Sequence, residues 1–164
     1  MDRASLGKSG KVGGGGIISD SEGRWVKSFA RSIGFTTSIT IEFWALRDGL
    51  LLANQIGVQN LVIELDAKVV VELVQSETTS NAFYSSLLAE YRSLLGRFQH
   101  CKVQHVFREV NRVTDTLVKL GCHMQENFVI MDSSPSDVMS NFVYLDAMGE
   151  KFCRLTASNL AILA

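Results

Sequence analysis

The chain has 164 residues, 46% apolar and 20% charged, with a formal net charge of −1. That is enough for one domain with a real core, and it excludes a disordered chain or a polyanion binder driven by bulk charge. A single proline excludes a loop-dominated scaffold. Three cysteines without a C-x-x-C pair (Cys101, Cys122 and Cys153) exclude a disulfide framework and a thiolate zinc site.

Two kinds of segment are missing from the sequence. No run reaches the roughly 18 apolar residues that a membrane span needs. The opening Met1-Asp2-Arg3-Ala4-Ser5-Leu6-Gly7 lacks the apolar core of a signal peptide. The expectation is a reduced, intracellular protein, cytoplasmic or nuclear.

In chain order, the first residues hold Gly7, Gly10 and the run Gly13 to Gly16. A phosphate-cradling loop would need Gly-Lys-Ser/Thr and a helix directly after the glycines, and neither follows. A turn and a crowded strand start fit better. Ile17-Ile18-Ser19 reads as a strand end, and Asp20-Ser21-Glu22-Gly23 as a hairpin turn. Arg24 to Ile33 completes the hairpin. Thr36-Thr37-Ser38 offers helix caps, and Ile39, Phe43, Leu46, Leu50 and Ala53 form a helical stripe that Gly57 ends.

Leu61 to Leu65 predicts a short buried strand, Lys68 to Gln75 a short helix, and Ser76 to Asn81 a polar connection. Phe83 to Phe98 predicts a helix, Val103 to Phe107 a strand, and Val110 to about Gln125 a last helix. Strand–helix–strand succession implies an α/β domain, a mixed and partly parallel sheet flanked by helices. The domain is expected over 1–126. Residues 127–164 read as a C-terminal extension, a packing arm or a partly disordered tail, with no chemistry of its own.

Several polar residues stand where chemistry is possible. Asp66 follows a buried strand, at the edge where α/β folds place ligands, though it would equally cap the helix from Lys68. Glu42 lies beside Phe43 at the core boundary of its helix. Asp115 opens a helix whose dipole favours a negative charge. His105 ends a strand ten residues before Asp115 and is placed to move a proton. Carboxylate ligands without His or Cys clusters select magnesium or manganese. The chemistry that suits such a site is phosphodiester hydrolysis with two metal ions.

Five sequence words stand in order: Asp2-Arg3-Ala4-Ser5; Gly15-Gly16-Ile17-Ile18-Ser19-Asp20-Ser21-Glu22-Gly23-Arg24-Trp25; Ile41-Glu42-Phe43-Trp44-Ala45-Leu46-Arg47-Asp48-Gly49-Leu50; Val62-Ile63-Glu64-Leu65-Asp66; and His105-Val106-Phe107-Arg108-Glu109-Val110-Asn111-Arg112-Val113-Thr114-Asp115. Over about residues 2–122 this order resembles the type 1 ribonuclease H family, especially its plant, reverse-transcriptase-like, retroelement-related branch. The resemblance implies a ribonuclease H-like fold whose usual first strand, ahead of the first Asp, is missing here. It groups Asp2, Glu42, Asp66 and Asp115 as catalytic metal ligands for two magnesium or manganese ions. It makes His105 the catalytic proton carrier, and matches Asn111 to a family asparagine.

The activity implied is cutting of the RNA strand of an RNA–DNA hybrid. Such enzymes read groove shape and the 2′-hydroxyl in place of sequence. Arg3, Ser5 and Asn111 are then the expected substrate contacts, with Lys8, Lys11, Arg108 and Arg112 near phosphates. Arg3 replaces the usual glycine after the first Asp, and Ala67 the usual serine after the third. The alternative is a module of the same fold that binds nucleic acid or a partner without turnover.

Overall fold

A computed structural model describes residues 11–22, 24–32, 38–76, 82–106, 127–132 and 153–162. The first two strands form the expected hairpin: β1 (Lys11–Ser19) pairs antiparallel with β2 (Trp25–Ser32). Asp20 makes its turn. Its Oδ1 accepts the backbone N–H groups of Glu22 and Arg24 at 3.0 and 2.9 Å, and its Oδ2 accepts Arg24 Nε at 2.7 Å. Such local side-chain bonds are why Asp favours turns. The glycine run sits inside β1, so the phosphate-loop geometry is absent there.

Helix α1 spans Ser38–Gln55. Its stripe is buried as expected at Phe43, Leu46, Leu50 and Ala53. It ends at Gly57, which takes φ +80°. Val58 N–H donates to Ala53 O at 3.0 Å and Gly57 N–H to Asn54 O at 3.1 Å. This paired closure of the last carbonyls needs a left-handed residue, which glycine supplies without strain. The proposed caps Thr36 and Thr37 fall outside the described residues.

Next come β3 (Asn60–Leu65), α2 (Lys68–Gln75), α3 (Ala82–Leu95) and β4 (His100–His105). Two boundaries differ from expectation. The strand expected from Val103 starts three residues earlier, because Gln99 and His100 N–H both donate to Gln59 O and open the pairing with β3. Residues 100–102 are exposed, so they give no apolar period to read. Helix α3 stops before Gly96, not at Phe98. Gly96, Arg97 and Phe98 N–H still bond back into the helix, at 3.0, 3.2 and 3.2 Å, as a tightened last turn. The helix expected over 110–125 lies outside the described residues.

The segment read as a C-terminal extension is part of the sheet. β5 (Phe128–Met131) pairs with β2, and β6 (Cys153–Ile162) lies between β1 and β3. The order is β4-β3-β6-β1-β2-β5. β6 runs antiparallel to β1 over nine register pairs, and parallel to β3 over five. The central position that the resemblance left without a strand is thus filled from the other end of the chain. The sequence hid this because a strand's partners lie far away in the chain, and β6 carries no turn signal that pairs it with β1.

One continuous core joins the sheet to the three helices described: Ile18, Phe29, Leu61, Ile63, Leu65 and Leu155 from strands, Phe43, Leu46 and Leu50 from α1, Val70 from α2, Leu88 and Tyr91 from α3. Tyr91 stacks at 5.2 Å from Phe43 and donates its hydroxyl to Phe43 O. Burial pushes the Tyr91 hydroxyl's pKa up, with the Glu90 charge adding to it.

Arg31 on β2 clamps α1 to the sheet edge. Its Nη2 donates to Asp48 Oδ1 at 2.8 Å and its Nε to Asp48 Oδ2. The guanidinium also lies 4.7 Å from the Phe128 ring and 5.1 Å from Trp44. Burial lifts the Asp48 carboxyl above the usual range, and Arg31 then Arg47 partly offset this. A carboxyl raised in the folded state favours folding when protonated and loses that contribution as pH rises through its folded pKa. Mild acid therefore protonates Asp48 before ordinary carboxyls, without a loss of stability through this group. Asp48→Ala strands the Arg31 charge and is expected to cost about 3–5 kcal/mol in urea unfolding; a cost under about 1 kcal/mol would show the clamp to be dispensable.

Candidate metal and nucleic-acid site

Register and close packing bring part of the expected site to one end of the sheet. β3 and β4 run parallel, with Leu65 level with His105. Val106 N–H then donates to Leu65 O at 2.9 Å, extending the pairing by one residue. Asp66, the residue just after β3, and His105, the last of β4, therefore leave the sheet side by side. Both are partly exposed. The N-cap of α2 is Ala67, so Asp66 does not hold the cap position.

Glu42 reaches the same end on α1, and two glycines show how. A Cβ on Gly14 would stand 3.3 Å from Ala45 Cβ and from Ile41 Cγ2. A Cβ on Gly49 would stand 2.5 Å from both δ-carbons of Leu155. So the start of α1 lies over Gly14, and its middle over Leu155. Gly14 is level with Asn159, Leu155 with Ile63, and Ala157 with Leu65. The helix therefore runs back along the sheet with its first turns over the C-terminal end of β3. Glu42 lies three and seven residues before Ala45 and Gly49, on the face turned to the sheet, and it is 0% exposed.

The electrostatics fit a cation. Two carboxylates at one sheet end, one of them buried, are costly without a compensating charge. Glu42 keeps other interactions, but its Oε1 is buried and accepts no hydrogen bond. A hard divalent ion is the species whose chemistry satisfies such an oxygen. Among the described residues, no three His, Cys, Asp or Glu side chains gather into a metal-holding group. Of the four acids the resemblance groups, Glu42 and Asp66 are described; Asp2 and Asp115 lie outside the described residues. So do Arg3, Ser5 and Asn111, together with Lys8, Arg108 and Arg112.

Three features escaped the sequence reading. Glu64, one residue before Leu65, is 8% exposed and accepts Gln104 Nε2 at 3.1 Å. Its position two residues before Asp66 was a visible signal, since alternation puts both on one face of the strand. The contact of Gly49 with Leu155 was a second, although the small size of Gly49 near Glu42 was readable; a mid-helix glycine costs about 1 kcal/mol unless packing requires it. The third, the β6 platform, carried no local signal.

These strands and helices have the ribonuclease H fold. The structure of RNase H1 from the halophilic archaeon Halobacterium salinarum NRC-1 superposes with TM-score 0.62 at 22% identity, covering 74% of this chain and 90% of that one. LC11-RNase H1 in complex with RNA/DNA hybrid gives TM-score 0.61 at 21% identity, over 71% and 88%. Residues 2–121 match the reverse transcriptase-like family, and the chain belongs to it. It is also similar to "Putative ribonuclease H protein" of Arabidopsis thaliana, 28% identical over 148 residues. That match covers 90% of this chain, which spans about a quarter (24%) of that relative's length. "Putative hydrolase EbsB" of Enterococcus faecalis is 26% identical over 121 residues, 73% of this chain and 88% of its own.

No described helix is long and apolar enough to cross a membrane. If Glu42 is a cation ligand, its buried charge weakens the metal-free fold. Glu42→Gln is then expected to raise stability in chelator by about 1–3 kcal/mol. Added magnesium should raise the melting point of the wild type and leave that of Glu42→Gln unmoved. Equal shifts in both proteins would remove Glu42 from the ligand set.

Proposed function

We propose that the chain is a metal-dependent nuclease domain that hydrolyses the RNA strand of RNA–DNA hybrids. The observation that carries this reading is that Asp66 and His105 leave the sheet side by side, with the buried Glu42 on the helix packed over that sheet, in a chain whose fold is that of ribonuclease H. Support also comes from the Arabidopsis and archaeal relatives named above, one of the solved neighbours being bound to an RNA/DNA hybrid.

In this reading Glu42 and Asp66, with Asp2 and Asp115, hold two magnesium or manganese ions. When bound, the ions supply an activated water and charge stabilisation for the leaving oxygen. The chain's own residues do the rest. The buried Glu42 carboxylate is fixed by its helix, so it is oriented before any ion arrives. Asp66 stands at the open edge, where a phosphate can approach. His105, beside it and partly exposed, has an imidazole that can carry a proton to the leaving oxygen. Arg3, Ser5 and Asn111 contact the substrate backbone. A hybrid's 2′-hydroxyls and minor-groove shape would select it over duplex DNA.

The second reading is a module of this fold that binds nucleic acid or a partner without turnover, favoured by Arg3 and Ala67 standing at positions the family fills with Gly and Ser. A labelled hybrid separates the two. The nuclease reading expects magnesium-dependent cutting of the RNA strand, a loss of at least about 100-fold in Asp66→Asn, and salt-sensitive hybrid binding retained by that variant. Folded wild-type protein that binds the hybrid with no metal-dependent cutting would leave the binding module.

A further inference from the structure

The central strand of the sheet lies outside the residues that match the family. The match covers 2–121; β6 is Cys153–Ile162. It contains no Asp or Glu, so it brings no carboxylate to the site. Its contribution is mechanical, and Leu155 is the one side chain of β6 that the structure describes.

Leu155 is fully buried at 0% exposure. A Gly49 Cβ would stand only 2.5 Å from both its δ-carbons, so any side chain at 49 requires either Leu155 or α1 to shift. Glu42 lies seven residues before Gly49, two helical turns away on the same face, about 10 Å along the axis. A second support is at Gly14, level with Asn159 of β6, against Ile41 and Ala45. The helix is stiff, so the contact at Gly49 sets its tilt about the Gly14 contact that flanks Glu42.

We propose that Leu155 is a positioning residue of the carboxylate site: acting through Gly49, it seats α1 and so fixes where the Glu42 carboxylate stands relative to Asp66. β6 then works as the bed on which the metal-binding helix is levelled. Ion binding is sensitive to displacements well under an ångström, because ligand distances are narrowly set. This inference rests on the reading of Glu42 and Asp66 as cation ligands, but not on hybrid cutting.

The test measures Mn2+ affinity by calorimetry on the full chain, with hybrid cutting as a second readout. Gly49→Ala lifts α1 and is expected to weaken Mn2+ binding about tenfold. Adding Leu155→Ala to it makes room for the new methyl and should restore the affinity to within about threefold. Leu88→Ala, in the core on α3, lowers thermal stability by a cavity and should leave Mn2+ affinity within about twofold. If Gly49→Ala does not fold, Leu155→Val reads the same seat with a smaller step. Retained Mn2+ affinity in a folded Gly49→Ala, no recovery in the folded double variant, or equal weakening in Leu88→Ala would each overturn the proposal. A wild type that binds Mn2+ but cuts no hybrid removes the nuclease reading and leaves this one standing. A wild type that binds no Mn2+ overturns both.

Discussion

The close approach of one helix to one sheet governs the molecule. Helices usually pack on sheets with a layer of side chains between them. Here two missing side chains bring α1 down onto β1 and β6, Gly14 from below and Gly49 from above. The gain is dispersion contact along the full length of the helix, where Phe43, Leu46 and Leu50 meet Ile18, Ile63 and Leu155 in one core. The cost is the conformational freedom of two glycines. The Arg31–Asp48 clamp fixes rotation of the same helix, since a forked ion pair holds direction as well as distance. Translation and rotation of α1 are thus both set before any ligand is considered.

That constraint explains why a carboxylate can be buried at Glu42. An ionised group on a mobile helix would swing toward water. On a helix held at two glycines and one ion pair it cannot, and the core contacts of that helix keep the side chain in place. Asp66 and His105 are held differently, by the register of parallel strands, and both remain partly exposed. A fixed, buried oxygen thus stands with two groups at an accessible edge, and the proposed cation-assisted hydrolysis draws on that combination.

What the sequence showed and what it hid follow the range of the interactions involved. The Asp20 turn, the Gly57 closure and α2 are local, made by residues within five positions of one another, and all were legible. Glu42, Asp66 and His105 were found through their neighbouring words, and the register of β3 with β4 brings the latter two together. The meaning of Gly13 to Gly16 was only half legible: a strand start was expected, but its closeness to α1 depends on Ile41 and Ala45. Strand β6 was the main loss. Nothing within Cys153–Ile162 says that it pairs with Lys11–Ser19, because register is set by partners on the other side of the chain, such as Lys11 with Ile162 and Ser19 with Arg154. The assignment of Asp2 and Asp115 as companions of Glu42 remains an inference from resemblance and enters only the proposed mechanism.

The place of β6 has its own physical logic. Without it, the facing edges of β1 and β3 would present nine and five residues of unpaired backbone toward each other across an empty lane. Buried backbone N–H and C=O groups without partners cost too much for a stable domain. An open lane of that width would also invite any extended chain to enter. A strand must therefore occupy it, and direction narrows the choice: it has to run antiparallel to β1 and parallel to β3. A hairpin strand ahead of β1 satisfies that, and so does a strand arriving from the C-terminus, provided its connection is long enough to cross the sheet. β6 arrives after 21 residues from the end of β5, which meets that requirement. The lane fixes backbone direction and pairing but not which end of a chain supplies the strand, so the same fold is reached by a different path while α1 still finds a large side chain, Leu155, beneath Gly49.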